Sequence, residues 1–229
     1  MSIGTGKTEL ENGIKLFRNE NYQEAIDSLE KTFENKNDIE SGYHLALAYA
    51  QIQNYDKTLE IFDKIMRRLD NPLRIMQAHI IVGYIYAIKE MYDLAEFELL
   101  DALASGIENT QIHSVLGYIY YKKNNTRKAI DSLRKAVAMD SQSANARNSL
   151  GFILADSGIN IEEGISEIKK ALNMDPKNPA YLDSLGWAFF KKNDIASAKE
   201  FLTKAFEIAP TNKDIKEHLI KLDQLGYKK

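Results

Sequence analysis

Cysteine is missing from this chain of 229 residues, which excludes disulfides, thiolate metal sites and a cysteine nucleophile. Proline and glycine are scarce as well, with four and twelve residues. A chain with so few helix breakers fits a nearly all-helical fold. Charges of the two signs almost balance, and the formal net charge of −3 provides no electrostatic drive toward nucleic acid.

Long apolar runs are also missing from the chain. No stretch approaches the roughly 18 apolar residues that a membrane span needs. The N-terminal sequence Met-Ser-Ile-Gly-Thr-Gly-Lys has no apolar core and is not a signal peptide. We therefore predict a cytoplasmic protein without a membrane span. The lysine-, asparagine- and isoleucine-rich composition favours an AT-rich bacterial genome as its source.

The chain does have an internal repeat that occurs six times. One ladder of small residues has steps of 33, 37, 34, 34 and 35 residues: Gly13, Ala46, Gly83, Gly117, Gly151 and Gly186. A second ladder has steps of 33, 37, 34, 35 and 34 residues: Ala25, Thr58, Ala95, Ala129, Gly164 and Ala198. Two ladders with nearly the same period indicate a stack of similar units, each about 34 residues long.

The clearest copy of the repeat runs from 179 to 212. Residues that share one helical face mark its first helix: Leu182, Leu185, Gly186 and Phe189. The same spacing places Ala198, Leu202 and Ala205 on one face of a second helix, and Pro210 ends it. One such hairpin leaves an apolar face exposed, so it is stable only when it stacks on neighbours.

This order of a large residue, Leu-Gly, an aromatic residue, Ala, a large apolar residue, Ala and Pro resembles the tetratricopeptide repeat. The resemblance implies an all-α fold, a right-handed superhelical solenoid of six helix-turn-helix repeats plus a C-terminal capping helix. We place the repeats at about 6–38, 39–72, 76–109, 110–143, 144–178 and 179–212, and the capping helix at 213–225. Residues 1–229 are then a single solenoid. The surplus residues between Asn71 and Ile75 lengthen a helix or a loop, with a functional hinge as the alternative.

The resemblance also implies a binding groove, because four positions of each first helix in this family face a concave surface. The ninth position holds four successive aromatic residues here, which suggests an exposed row that contacts a partner. The expected groove residues are Tyr84, Tyr118, Tyr121, Asn145, Asn148, Phe152, Asp183, Trp187 and Phe190. The alternative interpretation is that these aromatic rings pack between neighbouring repeats.

These patterns predict a non-enzymatic scaffold or adaptor that binds another protein or a peptide segment in the groove. We predict no catalytic residue, no cofactor, no metal site and no nucleic-acid partner. The family's clamp for acidic chaperone tails is not expected, because no residue at its matching positions fits: Leu10, Ile14, His44, Gln77 and Ile81. The alternative function is structural self-assembly, in which a homodimer forms through the terminal repeats or the convex face.

Overall fold

The computed structural model describes residues 3–104, 106 and 108–226, and within those ranges it contains thirteen α-helices and no strand. The predicted all-α fold is therefore confirmed. The helices group into two compact units, Met1–Ile107 and Glu108–Lys229. Continuity of one solenoid from 1 to 229 stays a prediction.

The first unit is built from helical hairpins. Its helices are α1 (Ile3–Arg18), α2 (Tyr22–Lys36), α3 (Ile39–Gln51), α4 (Tyr55–Ile65), α5 (Pro72–Ile88) and α6 (Tyr92–Ala104). Consecutive helices pack in pairs, α1 on α2, α3 on α4 and α5 on α6, and Met66–Arg68 forms a short 3-10 turn after α4. The apolar faces of the pairs meet in a core that includes Leu29, Leu45 and Phe62.

The surplus residues near Asn71 lengthen a helix. α5 has 17 residues, whereas the corresponding helix α3 has 13. It begins at Pro72, one helical turn before the repeat boundary predicted at about 76. The Asn71 side chain accepts hydrogen bonds from the N–H groups of Leu73 and Arg74. Pro72 occupies the first turn, where an N–H group would have no partner within the helix. Of the two structures expected here, the longer helix is the one observed.

The second unit continues the same pattern. Its helices are α7 (Thr110–Lys122), α8 (Thr126–Met139), α9 (Ala144–Asp156), α10 (Ile161–Met174), α11 (Pro179–Lys191), α12 (Ile195–Ile208) and α13 (Lys213–Gly226). The pairs α7–α8, α9–α10 and α11–α12 form hairpins, and α13 packs on α11 and α12. Ile215 and Leu222 of α13 are buried in this contact, so α13 covers the apolar face of the last hairpin.

Small residues lie where the two helices of a hairpin approach each other most closely. A Cβ added at Gly117 would lie 2.5 Å from the Leu133 side chain. In the α9–α10 hairpin the close approach is between backbones instead. A Cβ at Gly151 would lie 2.5 Å from the Gly164 carbonyl oxygen, and a Cβ at Gly164 would lie 2.6 Å from the Gly151 carbonyl oxygen. The two ladders of small residues therefore mark the helix contacts themselves.

One hairpin lacks the polar residue that precedes the second helix in the other five. Those residues are Asn21, Asn54, Asn125, Asn160 and Asp194. In the last four, the side chain accepts a hydrogen bond from a backbone N–H in the first turn of the helix. The residue before α6 is Met91, whose side chain cannot accept such a bond in the same way. The first turn of α6 therefore has no side-chain cap from this position.

Replacing Met91 by asparagine is expected to raise the free energy of unfolding of the first unit by about 1 kcal/mol, the usual effect of an N-cap. Urea unfolding followed by circular dichroism measures this change. Met91→Ala is the matched control, because it removes the same side chain without adding an acceptor. A Met91→Asn protein no more stable than the Met91→Ala protein would contradict the prediction.

Candidate binding groove

A cavity of about 390 Å³ lies in the second unit, on the side formed by the first helices of its hairpins. Its walls come from α7, α9, α11 and the beginning of α13. Five of the nine predicted groove residues line it: Tyr118, Tyr121, Asn148, Phe152 and Asp183. The structure thus brings together side chains that lie one or two repeats apart in the sequence.

The other four predicted residues lie elsewhere or are already engaged. Tyr84 belongs to the first unit, where its side chain is exposed. Asn145 accepts a hydrogen bond from the Tyr181 hydroxyl at 2.5 Å. The Trp187 ring stacks on Phe190 with the ring centres 4.8 Å apart, and Trp187 is only 8% exposed. The expectation of an exposed row is therefore wrong for Trp187, because α13 covers this ring.

His218 of α13 is the residue that covers Trp187. The two rings stack with their centres 4.2 Å apart and their planes 18° apart. Nδ1 of His218 lies 2.9 Å from Oδ1 of the Asp183 carboxylate, so the imidazole is held between α11 and the cavity. Phe152 lies next to it, with ring centres 6.5 Å apart. α13 is therefore part of the cavity wall as well as the end cap of the unit.

Asp156, at the end of α9, joins side chains from α7 and α11. Its carboxylate accepts hydrogen bonds from the Tyr121 hydroxyl at 2.5 Å and the Trp187 indole N–H at 2.8 Å. The Lys191 ammonium group lies 3.5 Å away. These interactions fix the orientation of two aromatic rings beside the cavity.

The same contacts set the ionisation of the side chains involved. Burial by itself would raise the pKa of the Asp156 carboxyl, but hydrogen bonds from Tyr121 and Trp187 and the charge of Lys191 outweigh it and hold this pKa below its usual value. Burial, and then the hydrogen bond to Asp156, raise the pKa of the Tyr121 hydroxyl. Asp156 is therefore an anion and Tyr121 a neutral hydrogen-bond donor at neutral pH.

The sequence patterns did not indicate that Asp156 and His218 belong to the site. Asp156 lies outside the four groove positions that the family implies, and His218 lies in a helix assigned only to capping. A signal for Asp156 does exist, since it lies 35 residues after Tyr121, one repeat and one residue further on. An acceptor at that offset satisfies a tyrosine hydroxyl on the preceding repeat.

The described part of the chain contains neither a metal-binding cluster nor a membrane-spanning helix. Residues 3–104, 106 and 108–226 hold no group of three or more His, Asp or Glu side chains that could bind a metal ion. In the same ranges, no helix has the length and apolar character needed to cross a membrane.

The fold and the cavity define the chain as a repeat protein made of helical hairpins. Models of the tetratricopeptide repeat match residues 117–158 and 180–212. The chain therefore contains tetratricopeptide repeats, and the fold that such repeats build typically serves protein interaction and not catalysis.

A curated relative and two solved structures agree with this assignment. A TPR repeat-containing protein of Pseudomonas aeruginosa is 34% identical over 80 residues, which are 35% of this chain and 13% of that relative. The chain thus spans a small part of the relative's length. The structure of YrrB, described as a TPR protein with an unusual peptide-binding site, is 25% identical and covers 82% of this chain and 96% of YrrB, with a TM-score of 0.60. The type IV pilus biogenesis factor PilW is 14% identical, with a TM-score of 0.75. The match covers 95% of this chain and 100% of PilW and shows the shared fold.

Proposed function

We propose that the chain is a non-enzymatic scaffold or adaptor that binds a segment of a partner protein in the cavity of its second unit. The observation that carries this proposal is the aromatic wall of the cavity. Tyr118 is 43% exposed there, and Phe152 is half-buried beside it. Aromatic side chains offer a large contact area at a low entropic cost and are enriched at binding hot spots.

Polar groups beside the aromatic wall would orient a bound segment. The side-chain oxygen of Asn148 is buried and has no hydrogen-bond donor among the described residues. Rotation of the Asn148 side chain into the cavity would let a backbone N–H group of a partner segment satisfy this oxygen. Asp183 and Glu217 on one side and Lys122 on the other give the cavity acidic and basic groups. A peptide-like ligand with both kinds of charge matches these walls.

The interactions of Asp156 and His218 prepare the cavity before a ligand arrives. Hydrogen bonds or ring contacts within the protein hold the side chains of Tyr121, Trp187 and Phe152. A surface that is already ordered loses less side-chain entropy on binding. The similarity to YrrB, a TPR protein with an unusual peptide-binding site, also favours a peptide segment as the ligand.

Replacing Tyr118 and Phe152 by alanine is expected to weaken partner binding by at least about 30-fold, because the loss of one hot-spot ring by itself costs about 2 kcal/mol. Trp187 is left unchanged since its burial makes it part of the fold. The full chain is used to capture proteins from a lysate of the source organism, and wild type and variant are compared by quantitative mass spectrometry. The dissociation constant of the captured partner is then measured by calorimetry.

The matched control for this experiment is Met139→Ala/Ile220→Ala, which removes two exposed apolar side chains of the same unit away from the cavity. Circular dichroism and Trp187 fluorescence check that all three proteins are folded. A partner that is retained by wild type and control but lost by the Tyr118/Phe152 variant supports the groove. Equal recovery by all three proteins would rule out the cavity as the binding site.

A further inference from the structure

The outward face of α6 differs from the same face of every other second helix. Leu94, Phe97 and Leu100 lie on it and are 44%, 59% and 45% exposed. At the same repeat positions α8 has Lys128, Asp131 and Arg134, and the second helices of the other four hairpins also have polar or charged residues there. These positions normally face water, so three large apolar side chains at them indicate an interaction surface.

Met91 directly precedes α6 and is a further exposed apolar residue of this hairpin. The four side chains follow each other at intervals of three residues, from Met91 through Leu94 and Phe97 to Leu100. Within α6, the row from Leu94 to Leu100 is therefore about 9 Å long and turns about 120° around the helix axis. Met91 is exposed and lies at the position where the other five hairpins have Asn or Asp. This hairpin thus departs from the others at four positions, three of which lie on the outward face of α6.

The charges around the row are acidic. α6 contains Asp93, Glu96 and Asp101 besides Glu98, which is paired with His79 of α5. The helix has no lysine, arginine or histidine, and Glu90 precedes it. The imbalance extends to the whole unit: residues 1–107 include 18 acidic and 11 basic residues, a net charge of −7. Residues 108–229 include 15 acidic and 19 basic residues, a net charge of +4. The field near α6 therefore favours a cationic partner.

We propose that the outward face of α6 docks a basic amphipathic helix of a partner protein. Its apolar side chains would cover Leu94, Phe97 and Leu100, and its lysine or arginine residues would lie next to Glu90 and Asp101 on either side of the row. An amphipathic helix presents apolar and charged residues in this arrangement. The surface consists of residues of the first unit and shares none with the lining of the cavity in the second unit.

A second copy of this chain does not match the α6 face. Pairing α6 with α6 would bring two sets of carboxylates together, and neither helix has a basic residue to compensate. α8 is the most basic helix among those described, but its outward face carries Lys128, Asp131 and Arg134 in place of apolar residues. It could pair with the charges of α6 but could not cover the apolar row.

The probe that tests this proposal is a fluorescein-labelled synthetic helix of leucine and lysine, about 14 residues long, with leucine along one face. Its binding to the full chain is measured by fluorescence anisotropy at two salt concentrations. The protein variant Leu94→Lys/Phe97→Asp/Leu100→Arg carries the residues that α8 has at these positions, so the hairpin fold accommodates it. We expect the variant to bind the probe about tenfold or more weakly than wild type does.

Three further measurements decide which property of the face matters. A probe with glutamate in place of lysine is expected to bind about tenfold more weakly, because the face is acidic. Glu90→Gln/Asp101→Asn leaves the apolar row intact and is expected to weaken binding about threefold and to reduce its dependence on salt. Tyr118→Ala/Phe152→Ala is expected to bind the probe as wild type does, which separates this surface from the groove.

Several results would overturn the proposal. One is an unchanged dissociation constant for the Leu94/Phe97/Leu100 variant, and another is equal affinity for the lysine and glutamate probes. A dimer seen by light scattering in wild type and lost in the Leu94/Phe97/Leu100 variant would identify a second copy as the occupant, which also contradicts the proposal. Loss of probe binding in the Tyr118/Phe152 variant would place the probe in the groove.

Discussion

Replacing Asp156 by alanine is expected to lower the free energy of unfolding of the second unit by about 3 kcal/mol. The substitution leaves the Tyr121 hydroxyl and the Trp187 indole N–H without the acceptor that they share. Each unsatisfied buried donor costs about 1 to 3 kcal/mol. The same variant should loosen the aromatic rings beside the cavity and so weaken partner binding as well.

The effect of Asp156→Ala should depend on pH in a defined direction. The pKa of the folded carboxyl lies below its ordinary value of 3.8. Its ionisation therefore stabilises the fold at neutral pH, and this contribution is lost as the pH falls through the pKa of the folded state. The stability difference between wild type and variant should thus be largest at neutral pH and should decrease below a pH of about 4.

Urea unfolding at several pH values, followed by circular dichroism and by fluorescence, tests this prediction. Trp187 is the only tryptophan of the chain, so its emission reports on the second unit. Asp131→Ala is the control, since Asp131 is an exposed aspartate of α8 and its loss is expected to change stability by less than about 0.5 kcal/mol. An Asp156→Ala protein as stable as the Asp131→Ala protein, or equally destabilised at every pH, would be evidence against this role of Asp156.

The second large effect is expected for Gly164→Ala, which should lower the free energy of unfolding by about 2 kcal/mol. In an isolated helix the same change would be favourable by about 1 kcal/mol. Here the added Cβ would lie 2.6 Å from the Gly151 carbonyl oxygen and 3.0 Å from the Ala155 nitrogen. Backbone atoms of α9 cannot rotate away as a side chain can, so the two helices must separate.

Gly83→Ala provides the comparison for Gly164→Ala. The nearest atom to a Cβ at Gly83 is Cγ of the buried Leu99 side chain at 2.9 Å, and the nearest backbone atom is the Ala95 carbonyl oxygen at 3.3 Å, further away than the backbone atoms that face Gly164. We expect Gly83→Ala to lower the free energy of unfolding by less than about 1 kcal/mol, because part of the clash is relieved and alanine is the better helix former. Thermal and urea unfolding of both variants measure the difference. A Gly164→Ala protein more stable than wild type would show that the α9–α10 contact can widen at little cost.

The Gly164 position shows a limit of predictions made from the repeat pattern. Four of the other five hairpins have alanine at this position of the second ladder, so the pattern alone would favour alanine here too. The structure gives the opposite expectation, since glycine at both 151 and 164 lets the two backbones come closer in this hairpin. A small residue can be recognised from the repeat, but how small it must be depends on the partner helix.

The sequence also predicted the candidate groove only in part. The groove positions that the resemblance to the tetratricopeptide repeat implies include Tyr118, Tyr121 and Phe152, which line one cavity. They did not predict that Trp187 is buried, because its cover comes from His218 in the capping helix. Offsets within a repeat describe a helix face, whereas burial depends on what the next helix places against it.

Local sequence patterns were therefore sufficient to predict where the helices lie and which of them pair. Apolar spacing, small residues and helix caps all act within a few turns or within one hairpin. The additional turn of α5, the shared acceptor Asp156 and the stacking of His218 on Trp187 became visible only in the folded chain. The contacts of Asp156 and His218 join residues about one repeat apart, and their distances are set by how the hairpins stack. Neither spacing nor composition specifies that stacking to the accuracy of a hydrogen bond.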